Sequence, residues 1–324
     1  MHNKVRFGII GYGKVAALHA KALETTEHAE LVSVSGHRQE RRDAFAHQWG
    51  LNSRNSVEEM IKEDGIQAVV IATPHLQHYP DAFSALNAGC HVLVEKPLAL
   101  SVAEAETLII EANKRNLLLS VIAQRRWYPS CKRIRHAIDE GYLGTPALAQ
   151  LTILGWRDEE YYRSDPWRGS WEGEGGGVIV NQAPHQFDLL CWYMGEVAEV
   201  YGRWANINHP YIEVDDSAVA TVLFKSGGLA SIFVSNSQRP GIYAKVHIHG
   251  SSGASAGVQT DGGAMFIAGR SSVLEAPYND IWTIPGQEEC RAQWQKEDEE
   301  FFSHIDATWY FFAQQEEDFA RAIL

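Results

Sequence analysis

The chain has little cysteine, no surplus of positive charge and no long apolar run, and each shortage argues against a class of function. Its four cysteines, Cys90, Cys131, Cys191 and Cys290, are far apart and form no Cys-x-x-Cys pair. A zinc site or a disulfide framework is therefore not expected, and no metal is called for. Reduced thiols in a cytoplasmic setting are the expectation. Lysine and arginine together number 28 against 41 acidic residues, a net charge of −13. A surface of that sign favours neither nucleic acid nor anionic lipid as a partner. No stretch approaches the roughly 18 apolar residues that span a bilayer. The start, Met1 to Ile10, passes directly into a strand pattern, without the apolar core and small-residue cleavage site of a signal peptide. The sequence shows no internal repeat and no low-complexity segment. The 324 residues suit about two domains, each able to bury its own core.

What is present begins with a strand, Val5 to Ile10, then Gly11-Tyr12-Gly13-Lys14-Val15-Ala16, then a helical run to Leu23. In this G-x-G-x-x-A pattern Gly11 permits the tight turn and Gly13 lets the backbone approach a pyrophosphate. Ala16 keeps the helix close to the sheet, and the helix N-terminus, with Lys14 and Val15, offers N–H groups to phosphates. The second strand ends at Ser35-Gly36-His37-Arg38, where an NAD site usually carries Asp or Glu for the ribose hydroxyls. A hydroxyl at Ser35 with His37 and Arg38 suits a 2′-phosphate instead, so NADP(H) is favoured over NAD(H). Further strands are expected over 67–72, ending at Thr73-Pro74-His75, over 91–94, ending at Glu95-Lys96, and over 117–121. Helices are expected at 57–61, at 81–87 and from a Ser101 cap to about Arg115. Strands alternating with helices imply a parallel sheet whose ligands lie beyond the carboxyl ends of the strands. Thr73, Pro74, His75, Glu95 and Lys96 lie on that rim and join the candidate cofactor-binding residues. This domain is placed at 1–122.

The remainder, 123–324, reads differently. Gln124 to Pro129 is a polar, aromatic turn containing Arg126 and Trp127, and a helix over 134–140 stops at Gly141. Alternating runs over 147–154, 199–207, 217–225, 229–235, 244–250 and 264–267 suggest a largely antiparallel sheet backed by a few helices. The loop from Gly155 to Gly177 carries Trp156, Tyr161, Tyr162, Trp167 and Trp171 among arginines. Its aromatic density suits stacking on a ligand ring, shielding of a pocket, or an oligomer contact. Arg126, Trp127, Tyr162 and Trp167 are the candidate substrate-binding residues here. Gly175-Gly176-Gly177 then removes the side chains from a short piece of backbone, which can lie against a ligand or take dihedrals closed to other residues. A helix is expected from about Val180 to Met194, with Asn181, His185 and Asp188 along one face. An amide, an imidazole and a carboxylate in line can move a proton; the alternative is a helix entry with a satisfied core histidine.

Taken together, Gly8 to Ala16, Ala72-Thr73-Pro74, Ala88 to Pro97 with its Glu-Lys-Pro, Gly175 to Asp188, and Val214 to Ala218 closely resemble the glucose–fructose oxidoreductase, inositol dehydrogenase and rhizopine-catabolism (Gfo/Idh/MocA) oxidoreductases. The resemblance covers nearly the whole chain. It implies an N-terminal Rossmann domain and a C-terminal α/β domain with a large, mostly antiparallel open sheet often used for dimerisation, hence a homodimer or homotetramer. It implies NAD(P)-dependent hydride transfer between the nicotinamide and a sugar or polyol hydroxyl or ketone. By motif position Lys96 is the catalytic lysine and His185 the general acid/base, with both and Asn181 at the substrate. Asn181 departs from the Asp of many members; an amide can orient but not act as a base. Members also usually run on for a further helix beyond the position of Leu324. Two other readings fit the same fold: a dihydrodiol-type or other small-molecule reductase, and a non-catalytic NADP-binding regulator.

Overall fold

The strand β1 (Val5–Ile10) is buried along nearly its whole length, as suits a strand flanked on both edges and covered on both faces. The computed structural model describes residues 4–260 and 275–324. The chain divides into two compact units, one running to Gln124 and rejoined by Ala307–Leu324, the other Arg125–Asp306.

In the first unit, α1 (Lys14–Leu23), β2 (Ala29–Ser35), α2 (Gln39–Trp49), β3 (Asn52–Arg54), α3 (Val57–Asp64), β4 (Ala68–Ile71), α4 (His75–Asn87), β5 (His91–Val94), α5 (Val102–Arg115) and β6 (Leu119–Val121) follow β1. The six strands form one parallel sheet in the order β3-β2-β1-β4-β5-β6, so the order reverses between β1 and β4. This is the doubly wound arrangement, with its ligand crevice at the reversal. Ser101 caps α5 as expected and completes a capping box with Glu104. The sequence pattern did not disclose α2 or β3: the polar α2 buries Arg42, whose guanidinium donates to the Gly36 carbonyl oxygen, Ser53 Oγ and Asn55 Oδ1 at 2.8–3.1 Å.

The second unit holds α6 (Pro129–Asp139), β7 (Pro146–Leu154), α7 (Glu159–Arg163), α8 (Trp171–Glu174), α9 (Pro184–Met194), β8 (Val197–Ala205), β9 (Ser217–Phe224), β10 (Leu229–Ser235), β11 (Tyr243–Gly250), β12 (Ser255–Thr260) and α10 (Cys290–Ser303). Its sheet has the order β12-β11-β7-β10-β9-β8 and is antiparallel except for the β7–β10 pair. Leu189, Leu190 and Tyr193 of α9 share one core with Leu151, Ile153, Ile232, Val246 and Ile248 of the sheet. The other face carries exposed Leu148, Val219, Leu229 and Phe233. The strand expected over 264–267 lies outside the described residues.

Two boundaries differ from the sequence reading. The last helix, α11 (Tyr310–Ile323), was placed with the second domain but joins the first unit. The cause is apolar: Phe312, Ala313, Phe319 and Ala320 enter the core with Val5, Phe7 and Ile9. Gln315 adds hydrogen bonds to the Val121 oxygen and from the Ala123 N–H, both 2.8 Å. The second difference is the expected 180–194 helix, which is a π-helical turn, Val178–Gln182, followed by α9.

Candidate active site

In the first unit, the glycine turn is wedged between the ends of two strands. The Gly11 N–H donates to the Ser35 oxygen at 2.9 Å. Gly11 has φ +116°, and a β-carbon there would lie 2.6 Å from the Ala72 oxygen, so only glycine fits. Gly13 sits at the N-cap of α1 with no side chain capping the helix and open space where a β-carbon would be. Ala16 is fully buried, whereas Gly13 and Lys14 are exposed and Val15 is half-buried. Uncapped N–H groups facing open space at the positive end of a helix fit the pyrophosphate of a dinucleotide.

The β2 end supplies the neighbouring wall. Ser35 is buried, and His37 and Arg38 are exposed. Tyr12 bridges the two loops: its hydroxyl accepts the Arg38 N–H at 3.1 Å, and its ring covers Gly36, where a β-carbon would meet it at 2.5 Å. No carboxylate stands at the end of this strand, in Ser35 to Arg38. At the β4 end, Thr73 Oγ1 donates to Asp81 at 2.8 Å; burial pushes the Asp81 carboxyl up against the opposing effect of that hydrogen bond. His78 contacts the Thr73 oxygen at 2.9 Å and the Pro97 oxygen at 2.6 Å, so one imidazole ties the β4 rim to the turn just after Lys96. Burial pushes His78 down. Pro74 is the N-cap of α4, and His75, its first residue, is buried.

Glu95, a candidate cofactor-binding residue, is engaged inside the first unit. It is buried, and its carboxylate accepts from the Lys96 N–H and contacts His19 Nε2, each at 3.1 Å. It faces the interior of the unit, because α1 presents a buried imidazole to it.

In the second unit, the triple glycine has a structural cause. A β-carbon on Gly177 would lie 1.7 Å from the Asp215 oxygen. Asp215, buried, accepts the Gly177 and Ile179 N–H groups on its two carboxylate oxygens at 2.8 and 3.1 Å, and its carbonyl accepts the Val178 N–H at 3.0 Å. This carboxylate holds the opening of the π-turn, a feature frequent at functional sites. On that turn Asn181 donates to Glu174 and to the Tyr161 hydroxyl, the latter at 3.1 Å. Tyr161 also accepts from Gln182 at 3.2 Å and from Arg168 at 2.6 Å. Asn236 extends the network to Gln182 at 2.8 Å and to Tyr162 at 3.3 Å. His185 follows on the first turn of α9, half-buried.

Tyr162, one of the candidate substrate contacts, is a buried residue of the second unit. It is 5% exposed, packs against His209 and Tyr211, and its hydroxyl serves Asn236; burial pushes its phenol up. It joins the network through Asn236. Trp167 is half-buried, and the Arg168 guanidinium lies 4.4 Å from the ring centres of both Trp167 and Tyr161. Arg126 makes a bidentate pair with Asp188 at 2.5 and 2.8 Å and lies 5.3 Å from the Trp192 ring centre. It shares a groove with Trp127, Lys132, Arg135 and His136. The sequence reading missed Glu174, Gln182 and Asn236, and it gave Tyr161 only as part of the aromatic loop. The adjacency of Gln182 to Asn181 was an available signal.

Comparison with known proteins agrees with this architecture. A family model described as oxidoreductase family, NAD-binding Rossmann fold, matches residues 5–123, and the GFO/IDH/MocA C-terminal domain model matches 131–256. Oxidoreductase P35 of Formosa agariphila is 32% identical over 231 residues, 70% of this chain and 71% of its own. Myo-inositol 2-dehydrogenase of Thermotoga maritima is 28% identical over 254 residues, 77% of this chain and 74% of its own. The WlbA dehydrogenase of Bordetella pertussis, solved with NADH and UDP-GlcNAcA, superposes with a TM-score of 0.84 over 99% of this chain and 88% of its own, at 24% identity. At that identity the likeness shows the fold.

Proposed function

The chain belongs to the Gfo/Idh/MocA family of NAD(P)-dependent oxidoreductases, and from that premise we propose that it oxidises a secondary hydroxyl of a cyclic polyol or sugar, or reduces the matching ketone, with Lys96 and His185 as its catalytic residues. The observation that carries the reading is the first unit's carboxyl rim. There an uncapped helix start, a glycine closed to any side chain and the residue after Glu95 all stand on one sheet edge. The inositol dehydrogenase relative supports a polyol substrate.

The dinucleotide supplies the hydride carrier. His185 takes the hydroxyl proton in oxidation and returns it in reduction, the general acid–base role that imidazole fills most often. Lys96, as ammonium, stabilises negative charge that develops on a substrate oxygen. Asn181, itself held by Glu174 and Tyr161, aims the substrate. Trp167, Arg126 and Trp127 are the further candidate substrate contacts. The ribose wall favours NADP(H), since Ser35 to Arg38 offers a guanidinium and no carboxylate. The exposed apolar face of the second sheet favours a homodimer or homotetramer, checked by light scattering. Four unpaired cysteines favour the cytoplasm, and no helix among the described residues is long and apolar enough to cross a membrane.

The test offers NADP⁺ and NAD⁺ with inositols, pyranoses and anhydrosugars, followed by absorbance at about 340 nm. Lys96→Ala and His185→Ala should each lose on the order of 10²-fold in kcat. Near-normal turnover by both variants would sink the assignment, and dinucleotide binding with no turnover would favour a regulator.

A further inference from the structure

The interior of the first unit contains a row of three ionisable groups that the proposed reaction does not use directly. His19, on α1, is fully buried. Its Nε2 lies 3.1 Å from Glu95 Oε1, and its Nδ1 lies 2.7 Å from Glu316 Oε1 on α11. A neutral imidazole donates through one nitrogen only, so a ring with a carboxylate on each side is satisfied as the imidazolium. The two carboxylates raise its pKa to about 9 against the opposing effect of burial. Phe312 packs against the ring at 4.7 Å and fixes its plane. The second oxygen of Glu316 has no hydrogen-bond partner among the described residues, so His19 is its evident anchor. The second oxygen of Glu95 accepts the Lys96 N–H at 3.1 Å. An apolar trio would join α1, β5 and α11 at no greater cost, because burying charges offsets most of what their pairing returns. What the charged trio adds is direction, since each hydrogen bond fixes the next group along the row.

We propose that Glu316, acting through His19 and Glu95, is a positioning residue for Lys96, so that α11 sets where the lysine ammonium is held for the reaction. The chain of contacts runs from α11 through α1 to the peptide N–H of Lys96 itself. It rests on the reading of Lys96 as catalytic.

The test measures kcat with the polyol that the panel identifies and dinucleotide affinity by calorimetry. Glu316→Met keeps the side-chain length and removes the acceptor. It should lower kcat about tenfold or more, as small misplacements of a catalytic group do, while dinucleotide Kd stays within about twofold. Glu316→Gln keeps an acceptor for His19 and should retain kcat within about threefold. In a Lys96→Ala background, Glu316→Met should cost nothing further, since the residue it positions is gone. Should Glu316→Met fail to fold, His19→Leu cuts the same link. Unchanged kcat in the folded variant, an equal loss in both backgrounds, or a loss confined to dinucleotide affinity would each overturn the proposal. Normal turnover by Lys96→Ala is a separate failure, that of the catalytic-lysine reading.

Discussion

Replacing Gly177 by alanine puts the opening of the π-turn to a severe test. The new methyl carbon would stand 1.7 Å from the Asp215 oxygen, against the 3.4 Å at which ordinary van der Waals contact begins. The atom in the way is backbone, so no rotamer change relieves the overlap; the glycine segment or the start of β9 has to move by more than an ångström. Such a shift breaks the three hydrogen bonds between this segment and Asp215, which span 2.8 to 3.1 Å. Two of them go to a buried carboxylate and are the stronger kind. Their loss, with the carboxylate left underpaired, costs about 4 kcal/mol or more. In a unit of this size that lowers the melting temperature by roughly 10 °C. Circular dichroism melting with an apo sample reads it, and the same protein should show kcat reduced more than dinucleotide affinity, because Asn181 and His185 follow directly on the displaced turn. A variant that melts within about 2 °C of the parent and turns over normally would refute the steric argument.

Gly13→Ala is the counterpart: its β-carbon enters open space, so the apo melting temperature should hold while dinucleotide Kd rises about tenfold or more, as titration calorimetry would show. Arg38→Asp should shift preference from NADP⁺ towards NAD⁺ by at least about tenfold in kcat/KM, read from initial rates with each cofactor. His19 has a raised folded-state pKa, so its contribution to stability is complete below about pH 6.5 and is lost as pH rises through about 9. The loss is up to about 3 kcal/mol, and urea midpoints should fall across that window, whereas His19→Leu should flatten the slope.

The legible parts of this fold are the local ones. Gly11, Gly13 and Ala16 announce a phosphate loop because strand, turn and helix follow within a few residues, and Ser101 announces a cap for the same reason. The helix α2 was not legible, because its stabilising contacts come from Arg42 reaching Ser53 and Asn55 on a neighbouring segment. The triple glycine was legible as a place where side chains are excluded, but the excluding atom, the Asp215 oxygen, lies far along the chain. The site reads the same way. Lys96 and His185 stand in recognisable motifs, whereas Glu174, which accepts from Asn181, and Asn236, which reaches the shared Tyr161 hydroxyl through Gln182, belong to no local pattern. The pairing of His19 with Glu316 joins residues 297 positions apart, a separation at which periodicity carries no information.

The return of α11 to the first unit also sets an order of events during synthesis. Domains generally complete themselves as they leave the ribosome, the N-terminal one first. Here β1 cannot bury Phe7 against Phe319 until the whole of Arg125–Asp306 has been made. The nucleotide-binding sheet therefore waits, with an apolar face uncovered, while the unit encoded inside it folds. The connectivity of the chain sets that interval, and moving the α11 segment ahead of β1 by circular permutation would shorten it.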